Sequence, residues 1–132
     1  MDEVIKRKKC LLTWSEKQFY DVLLCALPGY RIMCKVRVLD LVDIGDEGIK
    51  GEFMNKHIDF VVCDDMLKVV AAIELNGGSH KEKARYLRDM RAEELFHEAG
   101  LPLVWFKVLN EYDMERVRAK VTSAVMGVGA YR

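Results

Sequence analysis

The chain has 132 residues, about half apolar and a third charged, with 21 basic residues balanced by 21 acidic ones. That length suits one domain with one core and is too short for two. The charge balance excludes coating of nucleic acid by bulk charge but leaves room for a local basic face. No apolar run approaches the ~20 residues of a membrane span, and none reads as a signal peptide.

The opening residues 1–10, with "KRKK" among them, read as a basic, mobile tail. Thr13 with Glu16 three residues on is a capping box ahead of the periodic apolar run Phe19, Tyr20, Leu23 and Leu24, so a helix is expected there, ending near Pro28-Gly29. "YRIMCKVRV" alternates as a strand with Ile32, Cys34 and Val36 on one face. Residues 43–56 carry three glycines and scattered charge and read as a loop. "HIDFVVC" and "KVVAAIEL" are β-rich runs about a turn apart, an antiparallel hairpin. From Lys81 to Ala99 the pattern is helical, with Ala84, Leu87, Leu95 and Ala99 on one side, closed by Gly100 and Pro102. "LVWFKV" reads as a fourth strand, Asn110 as the cap of a last helix to about Val125, and residues 127–132 as a loose end. The order predicts an α/β fold, a mixed central sheet flanked by helices, its last strand reached by a helical crossover. Cys10, Cys25, Cys34 and Cys63 show no metal spacing and read as reduced, buried thiols of a cytoplasmic protein.

Two acids interrupt the apolar hairpin, and a buried lone carboxylate needs compensation. Closing the hairpin around Met66-Leu67 puts Val62 opposite Ala71 and Asp59 opposite Glu74, with Cβ atoms ~5 Å apart on one face. Two carboxylates so placed do not both ionise comfortably without a cation or a shared proton. Asp59 and Glu74 are therefore candidate ligands for a hard divalent metal, Mg²⁺ or Mn²⁺. The competing reading is a structural salt bridge to Arg37, Arg85 or Arg88. Gly77 and Gly78 would let the backbone approach a ligand, and His80, next to such a site, is a candidate acid/base or phosphate-contacting group. His57 and His97 lack such company and read as structural.

With strand-acid, hairpin, strand-acid and a histidine after a glycine turn, the chain resembles the PD-(D/E)XK nuclease superfamily. Its nearer likeness is to the branch around the very-short-patch repair endonuclease. The pattern "LLT..E..FY..L..ALP", "HIDFVVCD", "AAIEL" and "R..D......L..AGLPLV" also resembles an uncharacterised domain of that superfamily, found alone or fused to modules such as topoisomerase-type zinc ribbons. The resemblance spans about residues 11 to 108. It implies a restriction-endonuclease-like core, α-β-β-β-α-β, followed here by a C-terminal helix, and catalytic roles for Glu16, Asp59, Glu74, His80 and Asp89. Glu16 also has the capping-box explanation, and Asp89 could pair with a Lys or Arg one helical turn away. The superfamily's third signature position, Lys in most members and often Asp in the nearer relatives, is Asn76 here. Asn can ligate a metal but cannot act as a base; Lys81 or Lys83 substitutes, or catalysis is weak or lost.

"KEKARYLRDMR" places Lys81, Lys83, Arg85, Arg88 and Arg91 within three turns of helix beginning at the glycine turn, a candidate phosphate-binding run. The expectation is a metal-dependent DNA endonuclease of one nuclease-like domain. The alternative is a nuclease-fold module, weak or inactive, that binds DNA or a protein partner, including a second copy of itself.

Overall fold

The structure, a computed structural model, describes residues 4–77 and 83–130, and of residues 83–89 and 128–130 the backbone alone. The elements run α1 (Trp14–Ala26), β1 (Arg31–Arg37), a 3-10 turn (Val38–Asp40), α2 (Glu47–Phe53), β2 (His57–Cys63), β3 (Val69–Asn76), α3 (Lys83–Ala99), β4 (Leu103–Lys107) and α4 (Met114–Ala130). The four strands form one mixed sheet in sequence order. β1–β2 and β2–β3 are antiparallel, and β4 lies parallel to β3 after the α3 crossover. No described helix is long and apolar enough to cross a membrane.

Local chemistry explains most element ends. Both halves of the Thr13–Glu16 capping box are present at α1, and Gly29 follows the helix at φ +91°, a conformation that suits glycine. Gly100, at φ +73°, ends α3, with its N–H donating to His97 and that of Leu101 donating to Phe96. In the β2–β3 turn the Asp64 side chain accepts from the N–H groups of Met66 and Lys68. The register there is the expected one, Val62 opposite Ala71, with a bulge at Val62/Cys63.

Two apolar layers hold the sheet. On one face Phe19, Leu23 and Ala26 of α1 and Val117 and Val121 of α4 pack on Ile32, Phe60, Val62, Ala71, Ile73, Val104 and Phe106. On the other, Val38, Phe53 of α2, and Ala92 and Phe96 of α3 pack on Ile58, Val61, Cys63 and Ala72.

Several expectations are corrected. Residues 43–56 are not all loop, since α2 occupies their middle. Asp46 caps it by accepting from the Ile49 N–H, and Phe53 is 5% exposed. A cap of ~1 kcal/mol and a buried Phe of ~2–3 kcal/mol outweigh two helical glycines at ~1 kcal/mol each. The cap of α4 is Asp113, which accepts from Glu115 and Arg116, rather than Asn110. The intervening loop is folded by Tyr112, whose hydroxyl accepts from Leu109 N–H and donates to Lys107 O. Residues 127–130 continue α4, because its packed Val117 and Val121 carry the helix through isolated glycines. Among the described side chains of α3 the buried ones are Ala92 and Phe96, Leu95 is half-buried and Ala99 is exposed, while those of Ala84 and Leu87 lie outside the described set. The described N-terminal residues 4–10 are exposed, without helix or strand. The cysteines are free, but only Cys63 is buried, while Cys10 and Cys25 are exposed.

The correction most important for function is in β1. Ile32 and Cys34 face the α1/α4 layer, whereas Val36 faces the other. β2 does the same, Phe60 on one side and Ile58 on the other. Strict alternation would keep each trio together. The pairs Cys34–Phe60 and Val36–Ile58 bracket the change and place Lys35 across from Asp59. Lys35 has φ +55°, a left-handed conformation rare for a side chain of this size, which breaks the two-residue period. β3 and β4 show no such change: Ile73 and Leu75 pack on the same layer as Val104 and Phe106.

Candidate functional site

The level of Lys35 and Asp59 is also where β2 and β3 part. Phe60–Ile73 is the last paired set before this end of the sheet. One step further, side chains replace the ladder. Asp59 N–H donates to Glu74 Oε1 at 3.1 Å, and Leu75 N–H donates to Asp59 Oδ2 at 2.8 Å. The two acids are therefore level, as the register predicts, and each spans the gap to satisfy a backbone donor of the opposite strand. Glu74 is paired on its other side with Trp105 in the parallel register.

Both carboxylates line one cleft of about 630 Å³, together with Thr13, Ser15, Glu16, Lys56, His57, Leu75, Gly77, Trp105 and Val108. Glu74 is 5% exposed, the only buried charged side chain among the described residues. Burial first, and then the negative charge of Asp59, push its carboxyl up to about 7, against the pull of Lys56 and of the Asp59 N–H. The Lys56 ammonium lies 3.0 Å from Glu74 Oε2. Among the described side chains the cation on the acid pair is thus Lys56 and not Arg37; the side chains of Arg85 and Arg88 lie outside the described set.

Glu16 is in the cleft, and its capping role is real at the same time. Oε1 accepts from Thr13 N–H at 2.9 Å and Oε2 faces Lys35 Nζ at 3.4 Å. Burial works against its charge, but the Thr13 N–H and Lys35 outweigh it and hold the carboxyl below its ordinary value. Trp105, at the cleft wall, donates from Nε1 to Glu93 of α3 at 2.7 Å. His57, read as structural from sequence, is an exposed residue of the same cleft.

Asn76 ends β3 opposite Lys107, its carbonyl accepting from Val108 N–H. Gly78, His80 and Lys81 lie outside the described residues. Lys83, Arg85, Arg88 and Asp89 fall in the opening turns of α3, and their side chains lie outside the described set. Arg91, counted with that basic run, is instead clamped to Glu52 of α2 by bonds of 2.8 and 2.7 Å and also meets Glu94. It pins α3 to α2.

No group of three or more Asp, Glu, His or Cys able to hold a metal occurs among the described residues. What is present is a pair of hard oxygen donors facing one cleft, the charge of Glu74 disfavoured first by burial and then by Asp59. That donor set fits a divalent cation of the Mg²⁺ type, which takes few protein carboxylates and keeps waters. Sequence reasoning missed Lys56. Its signal was a lysine three residues before the strand acid, just outside the strand pattern.

Residues 8–125 match the model of a family described as "Protein of unknown function (DUF2726)", and the chain belongs to that family. No curated protein and no solved structure matches it.

Proposed function

We propose that this protein is a divalent-cation-dependent DNA endonuclease with a restriction-endonuclease-like core, of the PD-(D/E)XK class. The observation that carries the reading is the acid pair: Asp59 and Glu74 stand level across a gap in the backbone ladder and face one cleft. Apart from the short α2 inserted between β1 and β2, the succession of helix, three antiparallel strands, crossover helix and parallel strand supports the α-β-β-β-α-β order of that class.

Asp59 and Glu74 would hold Mg²⁺ or Mn²⁺, which when bound supplies polarisation of a phosphate oxygen and an acidified water. The chain's own residues do the rest. The backbone N–H groups of Asp59 and Leu75 fix one oxygen of each carboxylate, so the pair is set before a cation arrives. Thr13 and Ser15 bring hydroxyl donors to the cleft wall, suited to non-bridging phosphate oxygens. Glu16, His80 and Asp89 complete the proposed catalytic set, His80 placing the attacking water or the leaving group. Lys81, Lys83, Arg85 and Arg88 would track the DNA backbone from α3.

The test is nicking of supercoiled plasmid with Mg²⁺. Asp59→Asn keeps an acceptor for Leu75 N–H but loses the charge, so the folded variant should lose at least ~100-fold in rate. Equal nicking by both chains would end the nuclease reading. A second reading, a binding module without chemistry, is favoured by Asn76 and by the ion pair that already satisfies Glu74. It requires DNA or protein binding with no nicking in either chain.

A further inference from the structure

We propose that Lys56 is an internal counter-ion occupying, on Glu74, the place a divalent cation would take, so that cation binding and release of Lys56 are one exchange. This rests on the cation-site reading above and adds to it a built-in competitor. Each Glu74 oxygen already has a partner. Oε1 accepts from Asp59 N–H at 3.1 Å, and Oε2 is the atom Lys56 approaches to 3.0 Å. A divalent cation on Glu74 either takes Oε2 from the ammonium or binds through the remaining lone pair of Oε1, close enough to the ammonium to feel like-charge repulsion.

Lys56 is placed for this role by the connection between α2 and β2. Its N–H donates to Phe53 O at 3.1 Å, and its carbonyl accepts from Val38 N–H at 2.9 Å. The backbone is held at both groups while the side chain is free to choose its end point. The ammonium end is also poised to leave: the Lys56 side chain is 35% exposed against 7% for Glu74, and a flexible four-carbon stem lets the ammonium swing into solvent. Other described cations nearby are committed elsewhere, Lys35 to Glu16 and Arg91 to Glu52. Without Lys56, Glu74 would keep its burial and its negative neighbour and lose its counter-charge. A proton or a metal cation would then have to compensate it.

The experiment uses Mn²⁺ alone with the full chain, by titration calorimetry and thermal unfolding, on the wild type, Lys56→Met and Lys56→Arg. Lys56→Met should bind Mn²⁺ about ten-fold more tightly, a factor equivalent to ~1.4 kcal/mol. Its thermal midpoint should fall below the wild type without Mn²⁺ and recover with it, while Lys56→Arg binds no better than the wild type. Equal or weaker binding by a folded Lys56→Met chain overturns the exchange and leaves the cation site standing. Absence of Mn²⁺ binding in all three chains overturns both. Lys56→Gln is the second neutral variant. If neither it nor Lys56→Met folds even at saturating Mn²⁺, the exchange is contradicted, because the cation should have replaced the lost charge.

Discussion

The two ends of the β2–β3 pair solve the same problem in opposite surroundings. At the turn, Asp64 accepts two backbone N–H groups, of Met66 and Lys68, on the exposed surface. At the open end, Asp59 and Glu74 each accept one N–H across the gap, in half-buried and buried positions respectively. The turn acid replaces water that would otherwise serve the same donors, so its net worth is small. At the open end Glu74 sits where water is scarce and where the negative charge of Asp59 raises the cost of its own. A hydrogen-bonding need alone would be met at the open end by a neutral Asn or Gln. Two acids stand there instead, one of them at a position that penalises its charge, and this difference is what supports the proposed chemistry at the open end.

The largest effect expected from this contrast is in pH dependence. The Glu74 carboxyl is about 7 in the folded chain against an ordinary 4.5. Between those values the folded state binds more protons than the unfolded one, so stability falls as pH rises. The contribution is fully present below about pH 4.5 and lost as pH passes through about 7. Glu74→Gln, which keeps an acceptor for Asp59 N–H, should therefore be more stable than the wild type at pH 8, by up to roughly 3 kcal/mol. The advantage should shrink towards pH 5. Urea midpoints at the two pH values check it, and a variant less stable than the wild type at pH 8 would mean that Lys56 overcompensates the acid.

Asn76→Asp sharpens the contrast by adding a third acid at the open end. It should raise Mg²⁺-dependent nicking by ~10-fold, or ~1.4 kcal/mol of transition-state stabilisation. Lower stability in chelator should accompany the gain. Faster cleavage without any cation dependence would remove the acid pair from the mechanism. The smallest effect belongs to the turn. Asp64→Ala should cost ~1 kcal/mol in urea unfolding, with nicking unchanged, and a loss of activity there would erase the distinction between the two ends.

What was legible in the sequence follows the same division. The Asp59–Glu74 level could be read because a short turn near Met66-Leu67 leaves few registers open; the turn itself pairs Cys63 with Val69, and the bulge at Val62/Cys63 supplies the one-residue shift that brings Val62 opposite Ala71. The capping box and the Gly100 stop were legible because they are local hydrogen-bond devices with fixed spacing. Lys56 was not, because its reach to Glu74 depends on α2, which the glycines of residues 43–56 disguised. The face change at Lys35 was equally hidden. A lysine within an alternating run carries no local sign of φ +55°, and only packing on two opposite layers reveals it.

The proposed function requires Asp59 and Glu74 to share one divalent cation. A crystal of the protein soaked in Mn²⁺ and measured for anomalous scattering at the manganese edge tests it most directly. The expected result is a single strong peak within ~2.0–2.3 Å of an oxygen of each carboxylate, with the Lys56 ammonium displaced from Glu74. A well-occupied Mn²⁺ elsewhere, with the Lys56–Glu74 pair intact and no density between the two acids, would contradict it.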